Sequence, residues 1–371
     1  MRAITRAALA ATVATLGLTA ALPALAEVKV GVALGLTGQI AAIGEQSRRG
    51  VEAAIKAFNE KGGLNGEQVT LQVEDDACDP KQGVAVANKL VSSGVVAVVG
   101  HMCTGPTIAA SSVYAEEGIP MISASATGPE LTERGLDNVF RATGRDDQQG
   151  SVAGAMIAER FGDKKVAVVH DKQAYGRGLA EEAKKAMVAA GKQPTMEASI
   201  TPGEKDFSAL VSRLKQDGVE VVYFGGYYND LGQIVRQARQ QGLNATFVGG
   251  DGLSSSEFWA ITGDAGEGTL FTFTPDASQN PAAQEAVDAF KADGKGDPDN
   301  FAYYFYAAAQ VLTQAMTAAG SSDPEAVLEA LRNGSFETVV GTMDFDDKGD
   351  LKAPQFVFYG WQGGSAKPAG F

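Results

Sequence analysis

The chain has 371 residues, with 45 acidic against 31 basic side chains and a formal net charge of −14. That balance disfavours nucleic acid and anionic membrane surfaces as partners and suits a protein kept soluble by its acidity. Two histidines and two cysteines, with no pair at ligand spacing, exclude a structural or catalytic transition-metal site.

The first 26 residues read as a signal peptide. Arg2 and Arg6 precede an uncharged apolar run from Ala8 to Leu22, and Ala24-Leu25-Ala26 is a small-x-small signal that places cleavage after Ala26. A permanent anchor needs about 20 apolar residues and a basic flank. Here the next residues are acidic and then strand-like, and no cysteine sits at the junction to carry a lipid. The mature protein is therefore expected in a bacterial periplasm. The 345 residues after Ala26 carry a net charge of −16 once the two arginines are gone, and they are enough for two lobes at roughly 100 to 200 residues per domain. In that oxidising compartment Cys78 and Cys103 read as one disulfide, the alternative being two unpaired buried thiols.

Short β-branched runs then alternate with segments of helical period. Strands are expected at Val28 to Leu34, Gln68 to Glu74, Val95 to Gly100, Pro120 to Ser125, Lys165 to His170, Val219 to Gly225, Ala245 to Gly250 and Thr269 to Phe273. Helices are expected at Gly44 to Lys61, Pro80 to Ser92, Gly178 to Ala190, Phe207 to Gln216 and Leu231 to Gln241, most closed by a glycine. This rhythm predicts an α/β fold of two similar lobes, split near Arg145, each a parallel-type sheet flanked by helices. From Pro281 to Asn333 the pattern is almost wholly helical, with a long helix from Phe301 to Ala319, and Thr338 to Gln362 returns to strands around the DDKGD turn. Strands after a helical stretch imply that the chain crosses between lobes more than once, which makes a multi-strand hinge.

Ligands of open parallel sheets bind at the carboxyl ends of the strands. Two such ends carry small and hydroxylated residues, VVGHMCTGPT (Val98 to Thr107) and ISASATGPELT (Ile122 to Thr132). Free N–H groups and hydroxyls there suit a carboxylate, with Thr127 able to cap the following helix, although such turns serve as often as plain N-caps. Asp251, at another strand end, offers a carboxylate to an ammonium, and Tyr175 and Tyr227 follow strands beside glycines. Each has an ordinary reading too, as turn former or half-buried surface. No GxSxG elbow surrounds a serine, and His101 and His170 lack a nucleophile partner. The GRGLAE of Gly176 to Glu181 lacks the third glycine of a dinucleotide fingerprint, and Gly31, Gly35 and Gly38 are wrongly spaced for one, so no cofactor is implied.

DDACDPKQGVAVANK (Asp75 to Lys89), GHMC (Gly100 to Cys103), HDKQAYGRGLA (His170 to Ala180), GEKDFSALVSRLK (Gly203 to Lys215), FGGYYNDLGQIVRQARQQGL (Phe224 to Leu243) and DDKGDLK (Asp346 to Lys352) resemble the periplasmic leucine/isoleucine/valine-binding proteins of ABC transporters. The resemblance implies a type I periplasmic binding protein without enzymatic activity. Its N-terminal lobe would be 27–145 plus 275–353 and its C-terminal lobe 146–274 plus 354–371. It would act as a monomer and deliver a branched-chain amino acid to membrane permease subunits. By motif position, Thr104 and the Thr127 amide would hold the ligand carboxylate. The Ser125 carbonyl, the Thr127 hydroxyl and Asp251 would hold the ammonium, and Met102, Cys103, Ala126, Tyr175, Tyr227 and Phe301 would line the side-chain pocket. Cys78 and Cys103 match the family's disulfide. Four positions depart from the family: Ile43 stands for a tyrosine, Asp251 for glutamate, Thr104 for serine and Ser125 for alanine. The competing readings are a receptor of the same fold for other neutral amino acids, small amides or urea, and a secreted hydrolase.

Overall fold

The computed structural model describes residues 27–370, so the expected signal peptide and its cleavage site lie outside the described residues. Two large sheets organise the chain. The first is wholly parallel, in the order β2-β1-β3-β4-β5, from β1 (Val28–Leu34), β2 (Val69–Asp75), β3 (Ala97–Gly100), β4 (Met121–Ser123) and β5 (Val139–Arg141). The crossover helices are α1 (Ala41–Glu60), α2 (Pro80–Ser92), α3 (Thr104–Glu116) and the short α4 (Glu130–Glu133). The central strands β1 and β3 are buried nearly throughout, which is why they read as continuous apolar runs and not as alternating ones.

The second sheet takes up the chain after α5 (Asp146–Arg160). Its parallel core is β6 (Val166–His170), β7 (Met196–Ser199), β8 (Val221–Gly225), β9 (Thr246–Gly249) and β10 (Leu270–Phe273), with α6 (Ala174–Ala189), α7 (Ser208–Gln216), α8 (Tyr228–Gln240) and α9 (Glu257–Thr262) between strands. Helices α10 (Gln284–Asp293), α11 (Asn300–Ala319) and α12 (Pro324–Asn333) and the hairpin β11 (Ser335–Thr338) to β12 (Gly341–Asp344) follow. Then β13 (Val357–Gln362) and β14 (Ser365–Pro368) join the second sheet antiparallel. Helix α11 returns to the first half and seats against α1 so closely that a Cβ at Gly50 would lie 2.0 Å from the Ala302 carbonyl oxygen. The chain therefore passes between the sheets three times, after β5, after β10 and after β12.

Several expected boundaries shift in ways that matter for the site. Helices α6 and α8 begin three to four residues before the expected Gly178 and Leu231, so Tyr175 lies in a first turn and Tyr227 is an N-cap residue. The fourth strand stops at Ser123, which leaves Ser125 to Thr127 as a free loop. Thr127 does not cap a helix, because α4 starts after Pro129 and its N-cap makes no side-chain bond. Strand β5, helix α5 and strand β7 carry no clear sequence signal: the strands have three and four residues, too few for a period, and α5 opens on the polar run DDQQG.

Candidate functional site

The carboxyl ends of both sheets face one cavity. On the first side Ile43 of α1 and Met102, Cys103 and Thr104 at the end of β3 line it, with Ser125 from the loop after β4. Tyr175, Tyr227, Asp251 and Gly252 form the opposite wall, and Phe301 in the first turn of α11 closes one end. The free cavity volume is only about 10 Å³, room for about one water and far below an ordinary small-molecule site, so the two walls stand closed on each other. The walls touch: Asn229 Nδ2 donates to the Gln39 carbonyl, and the Tyr227 hydroxyl lies 3.7 Å from Cys78 Sγ.

Cys78 and Cys103 form a disulfide with their Cα atoms 5.5 Å apart. Around it the backbone is held by acidic side chains. Ala77 and Cys78 both sit at positive φ, and their N–H groups donate to Asp75 Oδ1 and Asp76 Oδ1 at 2.8 Å. Asp76 also takes His101 Nδ1 at 2.6 Å, while His101 Nε2 meets the Tyr114 hydroxyl at 2.9 Å, all three side chains being buried. His101 is thus a brace for the GHMC turn, and Cys103 is committed to sulfur, so neither serves as a base or nucleophile here.

Two of the expected groups, Thr104 and Ser125, lock the turns to each other. Thr104 Oγ1 accepts the Gly128 N–H at 3.2 Å, and Ser125 Oγ donates to the Met102 carbonyl at 2.8 Å. The added hydroxyl of Ser125 is therefore spent on backbone. Ala126 and Thr127 are buried behind the cavity wall and not on it. The Thr127 hydroxyl makes no well-formed hydrogen bond and lies near the Asp146 carboxyl.

On the other wall, Tyr175 donates its hydroxyl to Asp251 Oδ1 at 2.8 Å and accepts the Gly252 N–H at 3.2 Å. Its ring stands 5.1 Å from that of Tyr227, centroid to centroid. Burial pushes the Asp251 carboxyl up to about 6, against the opposing pull of the Tyr175 hydroxyl.

Asp146 escaped the sequence reading. It is the first residue of α5, fully buried, and neither carboxylate oxygen makes a well-formed hydrogen bond, the Thr127 hydroxyl lying nearby. Burial, with the charge of Asp251 added, drives its carboxyl well above the ordinary range. Its backbone N–H holds the Thr127 carbonyl at 2.8 Å, which places it at the same loop as the other candidates. The only sequence signal was an acidic pair, Asp146-Asp147, at a helix start, a feature that ordinary N-terminal charge preference explains.

Thr127, Asp146 and Asp251 thus gather one hydroxyl and two carboxyl groups held above their ordinary range. An unpaired buried carboxylate is costly, and a bound cation relieves it. Among the described residues no group of three or more His, Cys, Asp or Glu side chains is disposed to hold a metal ion.

A two-lobed α/β scaffold with its site between sheets is the architecture of ligand receptors, and comparison with known proteins agrees. Residues 27–365 match the family model for periplasmic binding proteins, and the chain belongs to that family. It is 50% identical over 343 residues to the Leu/Ile/Val-binding protein homolog 1 of Brucella melitensis, covering 92% of each chain. It is 47% identical over 334 residues to the leucine-, isoleucine-, valine-, threonine- and alanine-binding protein of Pseudomonas aeruginosa, covering 90% of each. Among solved structures, the leucine-binding protein LivK of Thermotoga maritima superposes with a TM-score of 0.85 at 28% identity, covering 92% of this chain and 97% of that one. The isoleucine complex of LivJ from Streptococcus pneumoniae gives 0.84 at 27%, covering 92% and 98%.

Proposed function

We propose that the protein is a periplasmic receptor that closes on a branched-chain amino acid and hands it to the permease subunits of an ABC transporter, acting as a monomer without turnover. The observation that carries this reading is the pairing of two buried carboxyl groups without a cationic partner, Asp146 and Asp251, with an apolar cavity wall of Ile43, Met102 and Phe301. An α-ammonium meets the first and an aliphatic side chain the second. The ligand carboxylate then falls to Thr104 and the Thr127 amide, and the Thr127 hydroxyl and Ser125 carbonyl complete the ammonium shell. Tyr175, Tyr227 and Cys103 contribute packing, while Ala126 belongs to the core behind them. The moving bodies are 27–145 with 275–353 and 146–274 with 354–371, after removal of the first 26 residues. Ligand contacts present only in the shut state favour closure.

Calorimetric titration with L-leucine tests the reading, on protein unfolded and refolded without reductant to strip bound ligand. One-to-one binding is expected, and Asp251→Ala should weaken it about 30-fold or more, the scale of losing one partner of a buried charge pair. Absence of heat at several temperatures would remove leucine and leave other neutral amino acids, amides or urea as candidate ligands on the same fold.

A further inference from the structure

We propose that Arg141 is a positioning residue, held by Asp350, that aims the Thr127 amide at the ligand carboxylate and fixes that aim to the hinge. The inference rests on the amino-acid reading above. Arg141 is the last residue of β5 and is wholly buried. Its Nη1 donates to the carbonyls of Ala126 and Gly128, each at 2.9 Å, its Nη2 to Thr132 Oγ1 at 2.7 Å, and its Nε to Asp350 Oδ1 at 2.7 Å.

The consequence follows from peptide geometry. In a trans peptide the C=O of one residue and the N–H of the next point in opposite directions across one plane. Drawing the Ala126 carbonyl toward Arg141 therefore turns the Thr127 N–H the other way. The same logic holds one residue on. The Asp146 N–H takes the Thr127 carbonyl, and the Gly128 N–H points oppositely, onto Thr104 Oγ1. Three successive carbonyls are thus fixed from behind; the Gly128 amide is held on Thr104, and the Thr127 amide is turned away from Arg141.

Asp350 supplies the link to the hinge. It lies in the third crossing, where Arg141 N–H also donates to the Gly349 carbonyl at 2.8 Å. Its second oxygen takes Arg145 Nη1 and Thr132 Oγ1, each at 2.8 Å. Arg145 stands in the first crossing, immediately before Asp146. One carboxylate thereby clamps two crossing segments and the arginine that orients the ligand loop. This gives the DDKGD turn a task that its distance from the cavity conceals.

The test compares L-leucine with L-leucinamide, which keeps the ammonium and side chain and lacks the carboxylate charge, by displacement calorimetry on wild type, Arg141→Lys and Asp350→Asn. A misaimed Thr127 amide penalises the charged carboxylate more than the neutral amide carbonyl, so the preference for leucine over leucinamide should shrink by up to about tenfold in both variants, the difference between a hydrogen bond to a charged and to a neutral group. If both ligands weaken in parallel, Arg141 is merely structural and the inference fails. Should Asp350→Asn not fold, Arg145→Gln removes one of the two cations on Asp350 at a half-buried position and is expected to shrink the preference by a smaller factor. An unchanged preference in Arg145→Gln and Arg141→Lys overturns the assignment. Wild-type protein that ignores leucine sinks the amino-acid reading itself, a different failure from parallel weakening.

Discussion

Two buried acidic positions a short way apart behave in opposite ways. Asp350, in the third crossing, accepts from two arginines and a threonine. Burial works against its charge, yet Arg141 and Arg145 hold the carboxyl below its ordinary range. Asp146, in the first crossing, forms no ion pair and has only the Thr127 hydroxyl beside it, and it is pushed up by burial and by Asp251. The first carboxylate is a finished piece of structure, and under the proposed function the second is the one a ligand ammonium would complete. Between them the molecule separates what must stay fixed, the aim of the ligand loop, from what the ligand itself must complete.

The contrast breaks most visibly on deletion of the finished pair. Asp350→Ala leaves Arg141 buried and uncompensated and should cost about 3 to 5 kcal/mol of unfolding free energy, read from denaturant melts. A loss below about 1 kcal/mol, the scale of an exposed pair, would mean that water reaches Arg141. The disulfide comes next. Its loop spans 25 residues, so Cys78→Ser with Cys103→Ser should cost about 3 to 4 kcal/mol in the chain-entropy model, and should also loosen the wall that meets Tyr227.

Removing the unfinished carboxylate should have the reverse sign. Asp146→Asn is expected to raise the melting stability of the ligand-free protein at pH 7 by about 1 to 3 kcal/mol, the desolvation penalty of an unsatisfied buried group, while weakening leucine binding at least tenfold. Stability and affinity moving the same way would show that Asp146 is structural.

The sign with pH follows from Asp251. Its folded value of about 6 lies above the ordinary 3.8, so the neutral form favours the fold. This contribution is fully present below about pH 4 and is lost as pH rises through about 6. The ligand-free protein should therefore gain stability on mild acidification, as far as this group and Asp146 govern it. Ligand binding needs the ionised form, so leucine affinity should fall by up to about tenfold per pH unit below pH 6. A flat profile from pH 7 to 4.5 would remove Asp251 from the ammonium shell.

Much of this was legible in the chain. Long β-branched runs such as Val28 to Leu34 gave strands at their observed positions, because a strand buried on both faces leaves a continuous apolar record. Met102, Cys103, Thr104, Ser125, Tyr175, Tyr227, Asp251 and Phe301, named from motif resemblance, meet around one cavity. What stayed hidden lies in long-range polar pairing. Arg141 reaches 209 positions along the chain to Asp350, and no local period or spacing encodes such a contact. Asp146 stayed hidden for the opposite reason: its distinguishing feature is burial without an ion pair, and an acid at a helix start otherwise looks like any other first-turn charge.

The smallest expected effect separates the apolar wall from both carboxylates. Leucine and valine differ by one methylene, worth about 0.8 kcal/mol when buried, so leucine should bind about fourfold more tightly, and isoleucine should fall within a decade of either. All three share the same ammonium and carboxylate. Protonating Asp251 or Asp146 should therefore weaken them equally, and the leucine-to-valine ratio should hold from pH 7 to pH 5 while both affinities drop. A ratio that drifts with pH would mean that the titrating groups reach the side-chain pocket, so that Ile43, Met102 and Phe301 do not form a wall electrically separate from the charged end.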